Sequence, residues 1–185
     1  LLSFVFYAYF VEIERRNWNL VLAGLTVWGV ECCLEVANAL VLYFTDFSAI
    51  WTEVGPTAYQ IFVGLNIETS FMFAVMGLVF CRIVPADPKV RILGIPNRRF
   101  FTILYPLFCV FIEVLLNRVG VLVWNYSWWN WPNIWLIVIF GYSLYFIAAF
   151  WVMDMKEMRH KVMAVGSIWT AAIVSSVVFI SLGWI

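Results

Sequence analysis

Charged and imidazole side chains are scarce in this sequence. Lys, Arg, Asp and Glu together make up 12% of the 185 residues, and His160 is the single histidine. A water-soluble domain usually carries about 25% charged residues, which help to cover its apolar core. The scarcity therefore excludes an ordinary soluble domain, and it also excludes a copper or iron site built on several imidazoles. The formal net charge of zero gives no basis for nucleic-acid binding.

Cysteines are missing from the loops. The four cysteines are Cys32, Cys33, Cys81 and Cys109, and each lies in or at the end of an apolar stretch, without metal-ligand spacing. A disulfide framework requires cysteines in the loops of a small secreted domain. We therefore expect these thiols to behave as small buried hydrophobic groups. No basic segment precedes the apolar run that begins at Leu1, so no secretory signal peptide is predicted.

Long apolar runs are what the sequence has in abundance, and 65% of its residues are hydrophobic. A helix needs roughly 20 apolar residues to cross a bilayer core about 30 Å thick. Five segments reach that length, the segment 1–11 is a shorter sixth, and none alternates as the strands of a barrel do. The sequence predicts an all-α, polytopic transmembrane helical bundle of about six spans, in a single domain over residues 1–185. The predicted spans are about 1–11, 20–44, 58–84, 99–124, 133–153 and 162–185.

The loops between these spans predict an orientation. All Lys and Arg residues except Arg118 fall in the first, third and fifth loops, and the second and fourth loops have none. The positive-inside rule places basic loops in the cytoplasm, so both ends of the chain are predicted to face outward. The basic loop residues are Arg15, Arg16, Arg82, Lys89, Arg91, Arg98, Arg99, Lys156, Arg159 and Lys161.

The fourth loop is unusually aromatic and runs from Trp124 to Pro132 with the sequence WNYSWWNWP. One interpretation is an aromatic belt at the membrane–water interface. The other is a rim or lid over a lipophilic pocket. The Asn125–Ser127 segment also matches a glycosylation sequon, which has meaning only in a eukaryotic protein.

Ionisable residues inside the predicted spans are the strongest functional signal. Each costs at least about 2.5–3.5 kcal/mol in a bilayer and seldom persists without a role or a partner. From the helix rise of about 1.5 Å per residue, the acids and two tyrosines fall in one slab roughly 14–20 Å below the outer surface. Neighbouring amides and one arginine lie slightly nearer that surface. The set is Glu31, Glu35, Glu68, Glu113, Tyr142, Tyr145, Asn38, Asn66, Asn117 and Arg118.

Four acids against one arginine cannot all be ion-paired. Carboxylates close together in a low dielectric repel each other, so at least one is expected to keep its proton at neutral pH. A protonated carboxylic acid beside an ionised one is suited to acid–base chemistry. The structural alternative is a hydrogen-bonded polar core that joins the helices.

These features favour an enzyme that acts on a lipophilic substrate within the bilayer. A carboxylic acid would protonate an alkene or epoxide, Tyr and Trp faces would stabilise the cation, and a carboxylate would remove the final proton. The predicted catalytic residues are Glu35, Glu68, Glu113 and Glu31. The predicted substrate-binding residues are Asn38, Asn66, Asn117, Arg118, Trp124, Tyr142 and Tyr145.

The order of acidic, amide and aromatic residues along the chain resembles a known layout. It consists of Glu35, Asn66, Glu68, Glu113, Asn117, Gly120, Trp124, Tyr126 and Pro132. The layout resembles small membrane-embedded isoprenoid cyclases of the meroterpenoid cyclase, lycopene cyclase and carotenoid hydratase type. It is more distantly similar to the sterol isomerase family, whose catalytic histidine is absent here, with Glu31 in its place. The resemblance implies that Glu35 and one of Glu68 or Glu113 are proton donor and acceptor.

Two other functions remain open at this point. Carboxylates near the middle of the bilayer also serve proton- or cation-coupled transporters and channels, although no inverted repeat is present. A non-catalytic subunit of a membrane complex, or a homo-oligomer, fits the short loops. The expected partners are a lipophilic small molecule and the lipid bilayer. No cofactor is predicted, and a Mg²⁺ site for a diphosphate lacks the spaced Asp-rich motif that would support it.

Overall fold

The computed structural model describes all 185 residues and shows a bundle of six helices. The helices are α1 (Leu2–Glu14), α2 (Trp18–Thr45), α3 (Ile67–Ile83), α4 (Asn97–Arg118), α5 (Ile134–Asp154) and α6 (Met158–Ser181). Helix α5 includes a π-helical segment over Ile137–Tyr142, and a single 3₁₀ turn spans Ser127–Trp129. The short strands are β1 (Trp51–Glu53), β2 (Gln60–Phe62), β3 (Leu65–Asn66), β4 (Arg91–Ile92), β5 (Ile95–Pro96) and β6 (Leu122–Trp124).

Four of the helices are long and apolar enough to cross a membrane. They are α2, α4, α5 and α6, with lengths of 21 to 28 residues. The predicted all-α transmembrane bundle is therefore confirmed. Helices α1 and α3 have 13 and 17 residues, fewer than the roughly 20 that a full crossing needs. The predicted number of about six spans is not confirmed.

Two predicted spans are shorter as helices than hydropathy indicated. The span predicted at 58–84 begins with the antiparallel pair β2–β3, and α3 starts only where the Asn66 side chain accepts the Thr69 N–H at 2.8 Å. The span predicted at 99–124 ends as a helix at Arg118, because Gly120 adopts a φ of +76° and the chain continues into β6. Hydropathy detects apolar residues, whereas capping and a left-handed glycine set the helix ends.

Helix α2 lies at the centre of the bundle and packs against α3, α5 and α6. Small residues allow α2 and α3 to approach closely, as in other membrane helix pairs. A Cβ atom at Gly77 would lie 2.7 Å from the Val27 Cβ and 3.1 Å from the Gly24 Cα. Helix α6 lies at the periphery and buries little of its surface.

The cysteines form no disulfide bond. Cys81 and Cys109 are buried in the core, as expected for small hydrophobic groups, and Cys32 and Cys33 are half-buried. Cys109 links α4 to α3, since its sulfur lies 3.7 Å from the Met76 sulfur. The thiols therefore act as packing groups in this fold.

One end of the bundle, here called the tryptophan-rich end, consists of segments 46–66 and 119–133 and contains no Lys or Arg. Strands β1 and β6 pair there antiparallel, with Trp51 opposite Trp124. Asn38 of α2 fixes the start of β1, because its Oδ1 accepts the Ile50 N–H at 2.7 Å and its Nδ2 donates to the Trp51 carbonyl at 2.9 Å. Asn125 ties the two segments together by donating to Thr52 Oγ1 at 2.8 Å.

The opposite end, here called the basic end, consists of segments 15–17, 84–96 and 155–157 together with the adjoining helix ends. Two of its ion pairs join different helices. Arg82 of α3 contacts Glu12 of α1 at 3.1 Å, and Arg98 of α4 contacts Asp154 of α5 at 2.8 Å. The basic residues at this end therefore connect helices as well as carrying the charge asymmetry.

Candidate functional site

A cavity of about 370 Å³ lies between the helices and extends to the tryptophan-rich end. Its wall comes from α2, β1 and the turn after it, α3, α4, the 3₁₀ turn and α5. This volume is within the usual range of small-molecule sites. The polar groups on the wall are Glu31, Glu53, Asn66, Thr69, Glu113, Tyr142 and Tyr145, and the two tryptophans are Trp51 and Trp129.

Glu31 is held at the deep part of the wall by α2, the central helix. Its side chain is buried, with 3% of the residue exposed. The Tyr145 hydroxyl of α5 donates a hydrogen bond to Glu31 Oε2. This hydrogen bond orients the Glu31 carboxyl group, so that it is presented to the cavity in a fixed position.

Glu113 reaches the same cavity from α4. Its Oε2 atom is shielded from solvent and has no hydrogen-bond partner. Tyr142 of α5 lies beside it on the wall. A buried polar atom without a partner is uncommon in a folded protein and calls for an explanation such as a catalytic or ligand-binding role.

Glu35 lies one helical turn from Glu31 but behind the wall. It is fully buried, its Oε1 accepts the Trp51 indole N–H at 2.5 Å, and its Oε2 has no partner. Trp51 is the residue that faces the cavity. The predicted catalytic residue Glu35 therefore contacts a wall residue and does not itself line the cavity.

Glu53 is a wall residue that the sequence prediction missed. It and Trp51 are two residues apart in β1, so the period of a strand directs both to the cavity, while Thr52 faces Asn125. Its Oε2 accepts the Asn66 N–H at 3.0 Å, and burial raises the pKa of Glu53 above its ordinary value. Glu53 falls between the predicted spans 20–44 and 58–84, where an acid is ordinary, and only the alternation of a three-residue strand could point to it.

The acids of this site have no cationic partner. Every Lys or Arg ion pair within 4.0 Å involves Glu12 or Asp154, and none involves Glu31, Glu35, Glu53 or Glu113. No three His, Cys, Asp or Glu side chains converge closely enough to hold a metal ion. The carboxyl groups are therefore distributed around the wall and are not neutralised by the protein.

Aromatic rings line the cavity in two groups. Trp51 and Trp129 stack with ring centroids 5.8 Å apart and an interplanar angle of 26°. Phe73 lies 5.3 Å from Tyr145, which lies 5.5 Å from Tyr142. The rings present negative π-faces to any group that enters the cavity.

The opening of the cavity is apolar. Helices α3 and α4 are joined in their basic halves, where the Tyr105 hydroxyl donates to the Phe80 carbonyl at 3.0 Å. Toward the tryptophan-rich end, the wall contains the exposed side chains of Met72 on α3 and Leu116 on α4. The exposed residues Val54, Gly55, Pro56 and Val121 complete this rim. A lipophilic molecule would therefore meet these apolar side chains before it reached the buried Glu31.

The structure brings five predicted site residues to the cavity wall. They are Glu31, Glu113, Asn66, Tyr142 and Tyr145. The catalytic role of each remains a prediction. The wall residues Trp51 and Glu53 were not predicted, since the pairing of β1 with β6 has no local signal. Thr69 on α3 was not singled out, and Trp129 was covered only by the interpretation of its loop as a rim.

Other predicted site residues lie elsewhere. Glu68 is exposed in the first turn of α3, where it accepts hydrogen bonds from Thr57 Oγ1 at 2.5 Å and the Ala58 N–H at 3.1 Å, because the helix begins only at Ile67. Arg118 is exposed at the last residue of α4, so it is not inside a helix span as predicted. These two placements correct the predicted single slab of polar groups.

The remaining predicted residues serve the local structure. Asn38 fixes β1, and Asn117 donates to the Leu122 carbonyl at 3.0 Å in the turn after α4. Trp124 is buried opposite Trp51 in the β1–β6 pair but does not line the cavity. Of the aromatic loop, Trp129 is the residue that reaches the wall, which is consistent with the interpretation of this loop as a rim.

Comparison with known proteins identifies the family of this chain. A model described as an uncharacterized membrane protein family matches residues 1–181, and the chain belongs to that family. A protein from Archaeoglobus fulgidus described as uncharacterized is 46% identical over 155 residues, which cover 84% of this chain and 74% of the relative. No solved structure matches. These matches establish a membrane protein, and the resemblance to isoprenoid cyclases or sterol isomerases remains a prediction.

Proposed function

We propose that this membrane protein is an enzyme that performs acid–base chemistry on an isoprenoid or similar lipid, with Glu31 and Glu113 as its catalytic residues. The observation that carries the proposal is the presence of buried, uncompensated carboxyl groups on the wall of an aromatic cavity. A protein seldom keeps such groups in a membrane without a function, because their desolvation lowers stability.

The two carboxyl groups have different surroundings, which suggests different roles. Glu31 accepts the Tyr145 hydroxyl, and a hydrogen bond of this kind stabilises a carboxylate. Tyr142 lies beside Glu113, but Glu113 Oε2 accepts no hydrogen bond, and a buried carboxyl oxygen without a donor is less stabilised as a carboxylate. We assign Glu113 as the proton donor and Glu31 as the proton acceptor.

The reaction that suits this pair starts with a proton from Glu113. The proton adds to one carbon of an alkene, whose π bond supplies the electrons, or to an epoxide oxygen, whose C–O bond then breaks. Either route leaves a carbocation on the substrate. The rings of Trp51, Phe73 and Tyr142 lie along the same wall and would stabilise that charge. For cyclisation, a second alkene of the substrate attacks this cation and forms a C–C bond, which moves the charge to another carbon. Glu31 then removes a proton from the carbon next to the cation, so that a cyclised or isomerised product forms with no change in composition. A proton returns from Glu31 to Glu113 before the next cycle.

The direct test is mass spectrometry of lipids that co-purify with the protein, followed by incubation of the protein with the lipids identified. Glu113→Gln and Glu31→Gln are each expected to lower turnover about 100-fold or more, the usual contribution of general acid or base catalysis. Glu157→Gln removes an exposed carboxyl from the basic end and serves as the matched control. Full turnover in both cavity variants would overturn the proposal.

The same preparation separates this function from its alternatives. A proton-coupled transporter would show proton-dependent flux in liposomes that Glu113→Gln abolishes, without a chemical change in the transported molecule. A non-catalytic subunit would need its partner for stability and would not be isolated as a lone folded species.

A further inference from the structure

All ionisable acids and bases on the cavity wall have the same sign. Glu31, Glu53 and Glu113 lie on it, and no Lys, Arg or His does. Each acid comes from a different element, namely α2, β1 and α4, so the carboxyl groups surround the cavity from several sides. Ionised carboxyl groups on such a wall repel anions, and only a cation can neutralise them.

The aromatic rings also favour a positively charged ligand. Five rings line the cavity, with Trp51 stacked on Trp129 and Phe73 packed beside Tyr142 and Tyr145. A cation within about 6 Å of a ring centroid is attracted by the π-face, and the attraction increases when water is excluded. Acids and ring faces on one wall are therefore complementary to a positive ligand.

Two features indicate the size and polarity of that ligand. The wall acids do not converge as a metal site requires, so a diffuse organic cation fits them better than a compact metal ion. The rim is hydrocarbon, with Met72, Leu116 and Val121 exposed at it. The buried Oε2 of Glu113, which has no partner in the protein, is the group that a positively charged head could approach.

We propose that this cavity is a binding site for lipophilic organic cations, in particular a substituted ammonium group that carries an apolar chain. The ammonium lies among the rings of Trp51, Trp129 and Tyr145, near Glu31 and Glu113, and the chain extends past Met72 and Leu116. The inference rests on the proposed function in using the same cavity, but binding needs no turnover and is measured separately.

The test uses N,N-dimethylgeranylamine and its uncharged isostere, in which a CH group replaces the nitrogen. Binding to the full chain in phosphatidylcholine nanodiscs is measured by calorimetry, and protein-free nanodiscs correct for partition into lipid. The amine is expected to bind about tenfold or more tightly than the isostere. Equal affinity of the two compounds, or no binding of the amine, would overturn the inference.

Two pairs of variants locate the site. Glu31→Gln is expected to lower amine affinity about tenfold and leave the isostere unchanged, whereas Glu157→Gln, with the same charge change at the basic end, alters neither. Trp129→Leu is expected to weaken the amine severalfold, whereas Trp128→Leu, in an exposed neighbour outside the wall, does not. Circular dichroism of each variant checks that the helices remain folded. Amine binding that both cavity variants leave unchanged would place it elsewhere and refute the assigned site.

The outcomes distinguish this inference from the proposed enzyme. Selective amine binding without any lipid turnover supports the cation site and counts against the enzyme. Lipid turnover that depends on Glu113, without amine selectivity, supports the enzyme and overturns the cation site. Uptake of the amine into liposomes that exceeds uptake into protein-free liposomes and is lost in Glu31→Gln supports the cation site and favours a transporter over the enzyme.

Discussion

Buried carboxyl groups occur in both halves of this bundle, and their partners differ. Near the basic end, Glu12 is 1% exposed and contacts Arg82 at 3.1 Å and Arg15 at 3.6 Å. In the cavity, Glu31 and Glu113 have tyrosines beside them and no cation within 4.0 Å. An acid paired with arginine can be explained by helix–helix attachment alone, whereas an unpaired acid beside a cavity suggests chemistry or ligand binding.

The largest expected effect is a loss of activity when Glu113 is substituted but not when Glu12 is. Glu113→Gln is expected to reduce lipid turnover about 100-fold or more, because the amide cannot donate the proton that starts the reaction. Glu12→Gln keeps the cavity intact and is expected to retain turnover. Product formation by the two purified variants, compared at equal amounts of folded protein, measures this. An equal loss of turnover in both variants would contradict the functional distinction between the cavity acids and Glu12.

The next largest effect is expected at Gly64, where the backbone lies close to the Trp51 side chain. A Cβ atom at Gly64 would lie 2.5 Å from Trp51 Cδ1 and 2.6 Å from Asn38 Nδ2. Gly64→Ala is therefore expected to displace β1 and lower the free energy of unfolding by about 1–3 kcal/mol. Thermal unfolding in detergent, followed by circular dichroism, tests this.

The control for that substitution is Gly166→Ala in α6. A Cβ atom there meets nothing within 4 Å, and alanine is favoured over glycine in a helix by about 1 kcal/mol. This variant is expected to be as stable as the parent or slightly more stable. A loss of stability at both glycines would show that the effect is not specific to the wall of the cavity.

A smaller effect concerns stability, to which Glu12 is expected to contribute more than Glu113. Glu12→Gln removes the charge that Arg82 and Arg15 share and is expected to destabilise the protein by about 1 kcal/mol, since both arginines are half exposed and screened. Glu113→Gln leaves no cation unpaired and is not expected to destabilise it. Unfolding midpoints of the two variants give the comparison, which fails if Glu113→Gln is the less stable one.

The smallest effect is a pH dependence at Glu53. Burial raises its pKa in the folded state above the ordinary value of 4.5, so ionisation of this carboxyl lowers stability as the pH rises through the folded-state pKa. Below the unfolded-state pKa both states are protonated and the cost is absent. Glu53→Gln is therefore expected to be more stable than the parent at pH 8 and equal to it at pH 4. Unfolding curves at the two pH values test the sign, and a variant less stable at pH 8 would contradict it.

Membrane crossing could be predicted from the sequence, but the ends of the elements could not. The chain at 58–66 is apolar enough to resemble helix, yet Gly64 and the Asn66 cap divide it into a hairpin followed by α3. The same limit explains Glu68. Its predicted depth assumed a helix that begins near residue 58, and the start at Ile67 leaves it exposed.

The candidate site could be predicted in part. Glu31, Glu113, Tyr142 and Tyr145 were identified because a polar group inside an apolar run stands out in any sequence. Glu53 did not stand out, since it lies in a short connecting segment where an acid is ordinary. Its place on the wall depends on β1 pairing with β6, which is distant in the chain.

The sequence by itself determined that this protein is a helical membrane protein with acids in its interior and basic residues gathered at one end. Hydrophobicity and charge are properties of each residue, so their pattern along the chain is sufficient for those conclusions. Only the tertiary structure decided which acids meet. Glu31 and Glu113 share a cavity with Glu53, while Glu35 is enclosed behind Trp51 and Glu12 is paired with arginine. Convergence depends on helix ends, strand pairing and side-chain direction, and these arise from contacts between segments far apart in the chain.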